Sequence, residues 1–555
     1  MAGLAASLGS GAMTNSIADI HQANVILVTG SNTTEAHPVI SLEMKAAVRR
    51  HGARMILIDP REIELAEFAS LHLRPRSGTD VALLNAIAHV LIAQNLLDRE
   101  FIASRTENYA ALEAAVVNCT PQWAEVICGV PASQIEEAAR LYGGAKSAAI
   151  FWAMGITQSS HGVDNVQALA NLALLTGNFG RPGTGVNPLR GQNNVQGACD
   201  VGGLPNVLTG YQAVSDAAVR SKFEGAWASP TPLPAAPGLT VTELMQAALE
   251  GRIKALYIMG ENPLLSDPNL NHVKEAFKAL EFLIVQDIFL NETAARADVV
   301  LPGVSFAEKD GTYTNTERRV QRVRAALPTR GAARQDLQII CEMGRRLSRS
   351  GGNHDTAGRV RPVSDWEYAD AAAVWDEIAA LTPSMAGISY ARLEGDGLQW
   401  PCPTPDHAGT PILHRENFTR GLGRFIAVAF REPAESTDSE FPFILNTGRM
   451  LQHWHGGTLS RRSVGLNELV PEGAIEINTE DAASLKIQDG DAVRLTSRRG
   501  VVTGRARLTS RVPRGMIFMT FHFAESPANA LTGDAVDPVA KIPEYKVSAV
   551  RLERL

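Results

Sequence analysis

Between Gly185 and Gly203 the chain reads GVNPLRGQNNVQGACDVGG, with five glycines, three asparagines, two glutamines and a single arginine. Neither a helical nor an alternating apolar period runs through it, so the spacing predicts a loop along its whole length. Its residue types suit a small polar ligand. Amides donate and accept hydrogen bonds, glycines let backbone approach closely, and a planar guanidinium grips a carboxylate through paired hydrogen bonds of fixed geometry. Arg190 is the candidate grip, and Gln192, its nearest polar neighbour, is the second candidate for the substrate pocket. An ordinary surface Ω-loop is the alternative that composition leaves open.

A loop of this kind needs rigid elements to hold it, and the flanking sequence supplies them as strands alternating with helices. NVILVTG ends in Gly30, a helical period covers Pro38 to Arg50, and RMILIDPR ends at Asp59. This is a βαβ unit of a doubly wound parallel sheet, in which ligands sit at the carboxyl ends of the strands. Gly30, Ser31, Asn32 and Asp59 occupy those ends. Asp59 also suits a turn before Pro60. No GxGxxG is present, so plain NAD binding is not supported. Helices are expected over Asp80 to Asn95 and over Ser133 to Leu141, the second with Ser133 and Glu136 as a capping box. A strand from Ala148 to Ala153 then leads to Gly155, Thr157 and Gln158. A second parallel sheet is expected from Ile253 to Pro263, Phe282 to Phe289 and Ala297 to Gly303, with Gly260, Asn262, Gln286 and Asp287 at its polar ends and a helix over Asn271 to Leu280. Arg318, Arg319, Arg322 and Arg324 read equally as a phosphate grip or a solvated face.

From Phe441 the character changes to short strands, FPFILNT, AVRLTS, VVTGRARL and MIFMTF, punctuated by Asp489-Gly490 and Arg499-Gly500. These predict an antiparallel β-barrel. Within it, TGRMLQHWHGGT carries Thr447, Arg449, His453, His455 and Thr458. Strand alternation would place both histidines on one face. No third ligand stands at useful spacing, so a metal role is set aside in favour of ligand contacts, and no metal-binding residue is proposed. The expected fold is α/β: two doubly wound, Rossmann-like parallel-sheet domains (1–192 and 193–348), a linker and surface excursion (349–440), and the barrel (441–555).

A chain of 555 residues is too long for one core and implies several domains. A net charge of −7 gives no electrostatic reason to expect nucleic acid. No apolar run reaches bilayer-spanning length, so a soluble chain without a membrane span is expected. The five cysteines are scattered without any CxxC, which offers no local iron–sulfur or zinc motif and favours a reducing, cytoplasmic setting.

RGQNNVQGACD, preceded by TGNFGRPGTGVNP and followed by YIMGENP, resembles the catalytic (alpha) subunit of molybdenum- or tungsten-dependent formate dehydrogenases, bis-pterin-guanine-dinucleotide oxidoreductases, and the likeness runs from Leu4 to Arg551. The resemblance implies oxidation of formate to carbon dioxide at a Mo or W centre chelated by two molybdopterin guanine dinucleotides, with electrons passed to an iron–sulfur relay and ultimately to NAD. It places the formate-orienting arginine at Arg190. It also makes the strand-end residues, the His- and Arg-rich barrel loop, Asn529 and Lys546 contacts to the dinucleotides. Expected partners are formate and electron-transfer subunits that are iron–sulfur, flavin or NAD-linked. In the family a selenocysteine or cysteine metal ligand and a [4Fe-4S] domain lie upstream of the segment resembling Met1. The chain therefore looks like the carboxy-terminal part of such a subunit, from a downstream start or a split gene, and inactive by itself. The alternative is a metal-free structural subunit of an electron-transfer complex, disfavoured because a scaffold has no need of Arg190 or of a charged barrel loop.

Overall fold

The computed structural model describes residues 1–229, 232–350 and 366–555. They form two compact units, Met1–Gly191 with Leu264–Lys274 and Ile412–Leu555, and Gln192–Pro263 with Glu275–Pro411.

The first unit is built on a five-stranded parallel sheet ordered Leu71–Leu73, Arg54–Ile58, Val25–Thr29, Ala148–Trp152, Gly185–Pro188. All five residues of Val25–Thr29 and of Ala148–Trp152 are buried. Alternate side chains enter two separate cores: Val25, Leu27, Ile150 and Trp152 pack on one face, and Ile26, Val28, Ala149 and Phe151 on the other. That is why these strands are continuous apolar runs rather than alternating ones. Helices Asp80–Ala93 and Gly162–Leu175 contribute to the first core and Pro38–His51 to the second. The last of these shows its stop and start signals plainly. Pro38 opens the helix where no N–H is needed, Ile40, Met44 and Ala47 line its buried stripe, and Gly52 closes it in a left-handed conformation at φ 72°.

The same unit holds a closed barrel of six strands ordered Phe443–Gly448, Met516–Thr520, Ala474–Asn478, Val501–Thr509, Ala492–Ser497, Ser548–Arg554. Its pairings are mixed: Phe443–Gly448 with Met516–Thr520 and Ala474–Asn478 with Val501–Thr509 run parallel, and the other neighbours antiparallel. Closure leaves no edge strand open. Two of its strands, Ala474–Asn478 and Ser548–Arg554, carry Glu and Arg among their apolar residues and were not anticipated from the sequence.

The second unit contains a parallel sheet ordered Val299–Pro302, Phe282–Asp287, Ala255–Met259 and an antiparallel one ordered Gly311–Thr314, Arg319–Val323, Leu398–Gln399. Several expectations are corrected here. The Gly185–Gly203 stretch is not one loop, since Gly185–Pro188 is a sheet strand and Val195–Asp200 a helix. Gln196 and Asp200, polar residues of that helix, build a buried network. Asp200 accepts from Gln196 at 2.7 Å, from the Tyr211 hydroxyl at 2.7 Å and from the Trp400 indole at 2.6 Å. Arg318 is neither phosphate grip nor solvated: it is fully buried and donates to the carbonyls of Trp400, Thr410 and Pro411. Of the presumed linker, residues 351–365 lie outside the described residues. Its remainder supplies a buried Trp375 in helix Ala371–Leu381, and Leu398–Gln399 as a sheet strand. Ser133 makes no capping box because helix Ala132–Gly143 starts one residue before it, whereas Thr240 and Glu243 do form one.

Asp200→Ala removes the acceptor that Gln196, Tyr211 and Trp400 share. We expect it to destabilise the second unit by about 2–4 kcal/mol, as unsatisfied buried partners of a charged group do, and to lower the midpoint of that unit's thermal transition in calorimetry. An unchanged midpoint would remove the network from the account of how the Val195–Asp200 helix is held.

Candidate functional site

In the first unit the strand order reverses between Val25–Thr29 and Ala148–Trp152, and it is at such a switch point that doubly wound sheets leave a crevice for ligands. The carboxyl ends of these two strands meet backbone to backbone. Gly155 N–H donates to the Gly30 carbonyl at 2.9 Å, and a Cβ on Gly155 would fall 2.6 Å from Gly30 Cα. Gly30 also sits at φ 55°, so both positions exclude side chains. Ser31 is buried with its hydroxyl on Thr33, 2.9 Å away. Asn32 follows with both amide atoms buried and without a protein partner. Thr157 Oγ1 lies 3.5 Å from the Met154 sulfur, and Gln158 is half-buried beyond it.

The strand Gly185–Pro188 delivers Arg190 and Gly191, and their peptide groups are held from two directions. His37 Nε2 bonds the Arg190 carbonyl at 2.7 Å, and Arg449 Nη1 donates to the Gly191 carbonyl at 3.1 Å. The Arg190 guanidinium donates to the Gly11 carbonyl at 2.9 Å. Arg449 lies against the His455 ring at 3.0 Å, and over the Trp454 ring at 5.0 Å. His522 accepts from Met450 N–H at 3.0 Å, so its other nitrogen, which contacts the His455 carbonyl, carries the proton. Lys546 donates to the Thr447 carbonyl at 2.6 Å.

This cluster is cationic and short of counter-charge. Burial holds the Arg449 guanidinium down at about 10, with no carboxylate offsetting it. Burial, followed by the charge of Arg449, brings the Lys546 ammonium down to about 7, against the weaker pull of Asp59. Burial likewise takes the imidazoles of His37 and His522 to about 4 and that of His455 to about 3, so all three rings are neutral near pH 7. Asp59, its carboxylate accepting from Arg61 N–H at 2.9 Å, is raised by burial to about 6. A partly desolvated cation without a partner is costly, and an anionic ligand removes the cost. Among the unpartnered buried atoms, both amide atoms of Asn32 and Nδ1 of His37 are polar lining such a ligand would satisfy.

Two family models match the chain, "Molybdopterin oxidoreductase" over residues 4–346 and "Molydopterin dinucleotide binding domain" over residues 443–549. The chain belongs to the molybdopterin oxidoreductase family. Along its whole length it is 49% identical to the F420-dependent formate dehydrogenase subunit alpha of Methanocaldococcus jannaschii, covering 80% of that protein. It is 41% identical to formate dehydrogenase H of Escherichia coli, covering 76% of it. The fold is that of acetylene hydratase from Pelobacter acetylenicus, with a TM-score of 0.76 at 18% identity over all of this chain and 80% of that one. For this molybdopterin oxidoreductase the group to be held is a pterin dinucleotide, anionic through its phosphates and edged with hydrogen-bonding atoms. The cations and orphaned amide atoms of the first unit fit it.

Not every candidate stands in this cluster. His453 spends both ring nitrogens within the barrel loop, on Ser460 Oγ at 3.2 Å and the Val470 carbonyl at 2.7 Å, and so braces the loop. The loop is not an extended strand, and His455 turns at φ 45°, so the alternation that would put both histidines on one face does not apply. Thr447 donates to the Tyr545 carbonyl at 2.8 Å, the carbonyl of Thr458 accepts from Arg462 at 2.5 Å, and Asn529 Nδ2 donates to the Ser266 carbonyl at 2.8 Å. In the second unit Gly260 takes φ 66°, Asn262 bonds Glu292 and Thr293, Gln286 bonds Tyr257 and Asp336, and Asp287 accepts from Phe289 N–H and Asn291. Gln192 is exposed and belongs to this second unit. The sequence reading missed His37, visible only as a histidine before a helix-starting proline, and His522, which follows the apolar barrel strand Met516–Thr520.

Lys546 yields a test without any ligand. Its folded-state value lies below its unfolded one, so the unfolded chain binds the extra proton between about pH 7 and the ordinary lysine range, and stability rises with pH across that window. Thermal midpoints of the cofactor-free protein are expected to climb from pH 7 to 9.5, and Lys546→Met to flatten the climb while raising stability at pH 7. A wild-type slope retained by the variant would show that Lys546 is not the group responsible.

Proposed function

We propose that this chain is the catalytic polypeptide of a formate dehydrogenase, oxidising formate to carbon dioxide, with Arg190 holding the substrate carboxylate. The observation that carries the reading is the doubly held Arg190–Gly191 peptide: a guanidinium is useful as a carboxylate grip only if its own backbone cannot move, and His37 and Arg449 fasten it on both sides. The full-length likeness to formate dehydrogenase alpha subunits agrees with it.

When bound, a molybdenum or tungsten bis(pterin guanine dinucleotide) supplies the two-electron acceptor that no side chain can provide. Arg449, Lys546, Asn32 and His37 Nδ1 would hold its anionic and hydrogen-bonding parts. Gly30 and Gly155 let backbone come close, and Asp59 at the neighbouring strand end would accept from a hydroxyl-rich sugar. Arg190 binds and orients formate through its planar fork. His37 stays neutral and presents an N–H to the Arg190 carbonyl, so it steadies the grip without adding charge that would compete for formate. The scattered cysteines of this chain offer no cluster motif. An iron–sulfur relay, and a cysteine or selenocysteine metal ligand, are therefore proposed to lie on polypeptide outside these 555 residues. The family resemblance implies NAD as the terminal acceptor, whereas the names of the Methanocaldococcus and Methanococcus relatives carry F420. A metal-free structural role is disfavoured by the buried charge of Arg449, which no carboxylate offsets and which a scaffold would have no reason to retain.

The test uses the chain assembled with its remaining alpha-subunit polypeptide and loaded with cofactor. Arg190→Lys keeps the charge but loses the fork, and formate-dependent dye reduction should drop by about two powers of ten in kcat/KM with metal and pterin content unchanged. Wild-type kcat/KM in that variant would sink the assignment. His37→Ala is expected to cost about tenfold, the worth of one positioning hydrogen bond, and His37→Gln to recover part of it.

A further inference from the structure

Strand Gly185–Pro188 is the last of the five-stranded sheet, next to Ala148–Trp152. An edge strand offers unpaired backbone groups on its outer side, and here the segment Gly11–Asn15 meets them. Thr14 N–H donates to the Val186 carbonyl at 3.2 Å while Val186 N–H donates to Thr14 Oγ1 at 3.1 Å, so a single threonine closes the rung with backbone in one direction and side chain in the other. The Thr14 hydroxyl in turn donates to Asn15 Oδ1 at 3.0 Å. Asn15 donates from its backbone to Asn187 Oδ1 at 3.3 Å and from its side-chain amide to the Arg181 carbonyl at 3.0 Å. Thr14, Asn15 and Asn187 are all buried, and a Cβ on Gly185 would fall 2.2 Å from Thr14 Oγ1, so the two segments fit closely. Leu413 N–H fastens the Thr14 carbonyl at 2.8 Å. Beyond this rung the same two segments meet again, where the Gly11 carbonyl accepts from the Arg190 guanidinium at 2.9 Å.

We propose that Thr14 and Asn15 are positioning residues for the substrate grip: they register Gly11–Asn15 against the strand, and the Gly11 carbonyl so placed aims the Arg190 guanidinium at its anion. The inference rests on the reading of Arg190 as the carboxylate grip and adds what that reading lacks. His37 and Arg449 hold the peptide groups of Arg190 and Gly191, but the arginine side chain beyond them is long and rotamer-rich. Its five N–H groups lie in one plane, so an acceptor on Nη2 restricts the swing of all of them. A backbone carbonyl suits this task, because it attracts the cation without the full negative charge that would repel a carboxylate substrate. The Thr14 hydroxyl is the matched part: valine has nearly the same shape but leaves the buried Val186 N–H without an acceptor.

The experiment uses the chain assembled with its remaining alpha-subunit polypeptide and loaded with cofactor. Thr14→Val should raise the KM for formate about tenfold, with kcat changed by less than about twofold and metal and pterin content unchanged, and Thr14→Ser, which keeps the hydroxyl, should return KM to near the wild-type value. In an Arg190→Ala background there is no guanidinium to aim, so adding Thr14→Val should cost less than about twofold more in kcat/KM. In the cofactor-free 555-residue chain, amide exchange over Gly185–Pro188 should speed up about tenfold in Thr14→Val while Val25–Thr29 keeps its protection. If Thr14→Val does not fold, Asn15→Ala, which leaves the Thr14–Val186 rung in place, carries the same cycle with an expected loss of about threefold. Wild-type kcat/KM in Arg190→Ala would remove the grip reading and the aiming role with it. With that loss present, a Thr14→Val enzyme of wild-type KM, effects of the two substitutions that simply multiply, or a loss traced to missing metal or pterin would overturn the positioning role alone.

Discussion

Much in the first unit depends on keeping one peptide still among like charges. The Arg190–Gly191 segment lies between His37 and Arg449, with His455, His522 and Lys546 close by, a setting in which every protonation would add to the repulsion. Burial resolves the conflict. It suppresses the imidazolium form of all three histidines and weakens the ammonium, so the rings act as hydrogen-bonding posts rather than as cations. What remains is a limited positive field, strong enough to favour an anion and small enough to be tolerated before one arrives.

Such a cluster has to be carried by something that does not yield. The five-stranded sheet feeds alternate side chains into two cores, and this pins the strand ends from which Gly30, Asp59, Gly155 and Arg190 emerge. The barrel, closed and free of edges, presents Arg449 and His455 from the loop after its first strand and Lys546 from the approach to its last. Because the site is assembled from strand ends and barrel loops far apart in sequence, its parts are individually ordinary. Their chemistry comes from being brought together.

The second unit shows the same physics turned to support. Asp200 and Arg318 are buried charges, and each is satisfied within the protein by several partners rather than held open for a ligand. Arg449 differs in electrostatics rather than in burial: Glu317 and Asp200 offset the charge of Arg318, whereas no carboxylate offsets that of Arg449.

Periodicity alone determined the layer plan. Continuous apolar runs of five residues ending in glycine or aspartate can only be central parallel strands, and alternating strands with Gly turns must close or sandwich, so two parallel sheets and a barrel were legible from residue order. So was the candidacy of Arg190, since one guanidinium among amides and glycines has few other uses. What the order of residues could not reveal was partnership. Gln196 and Asp200 stand in the stretch read as a loop, and their use by Tyr211 and Trp400 is invisible in residue order. His453 looks like a cofactor contact until Ser460 and Val470 take both of its nitrogens. His37 looks like nothing until the Arg190 carbonyl arrives at 2.7 Å from across 153 residues of chain. Hydrophobic pattern is local and repeats, so sequence carries it. Hydrogen bonding and burial of charge are settled by atoms that only the tertiary fold makes neighbours.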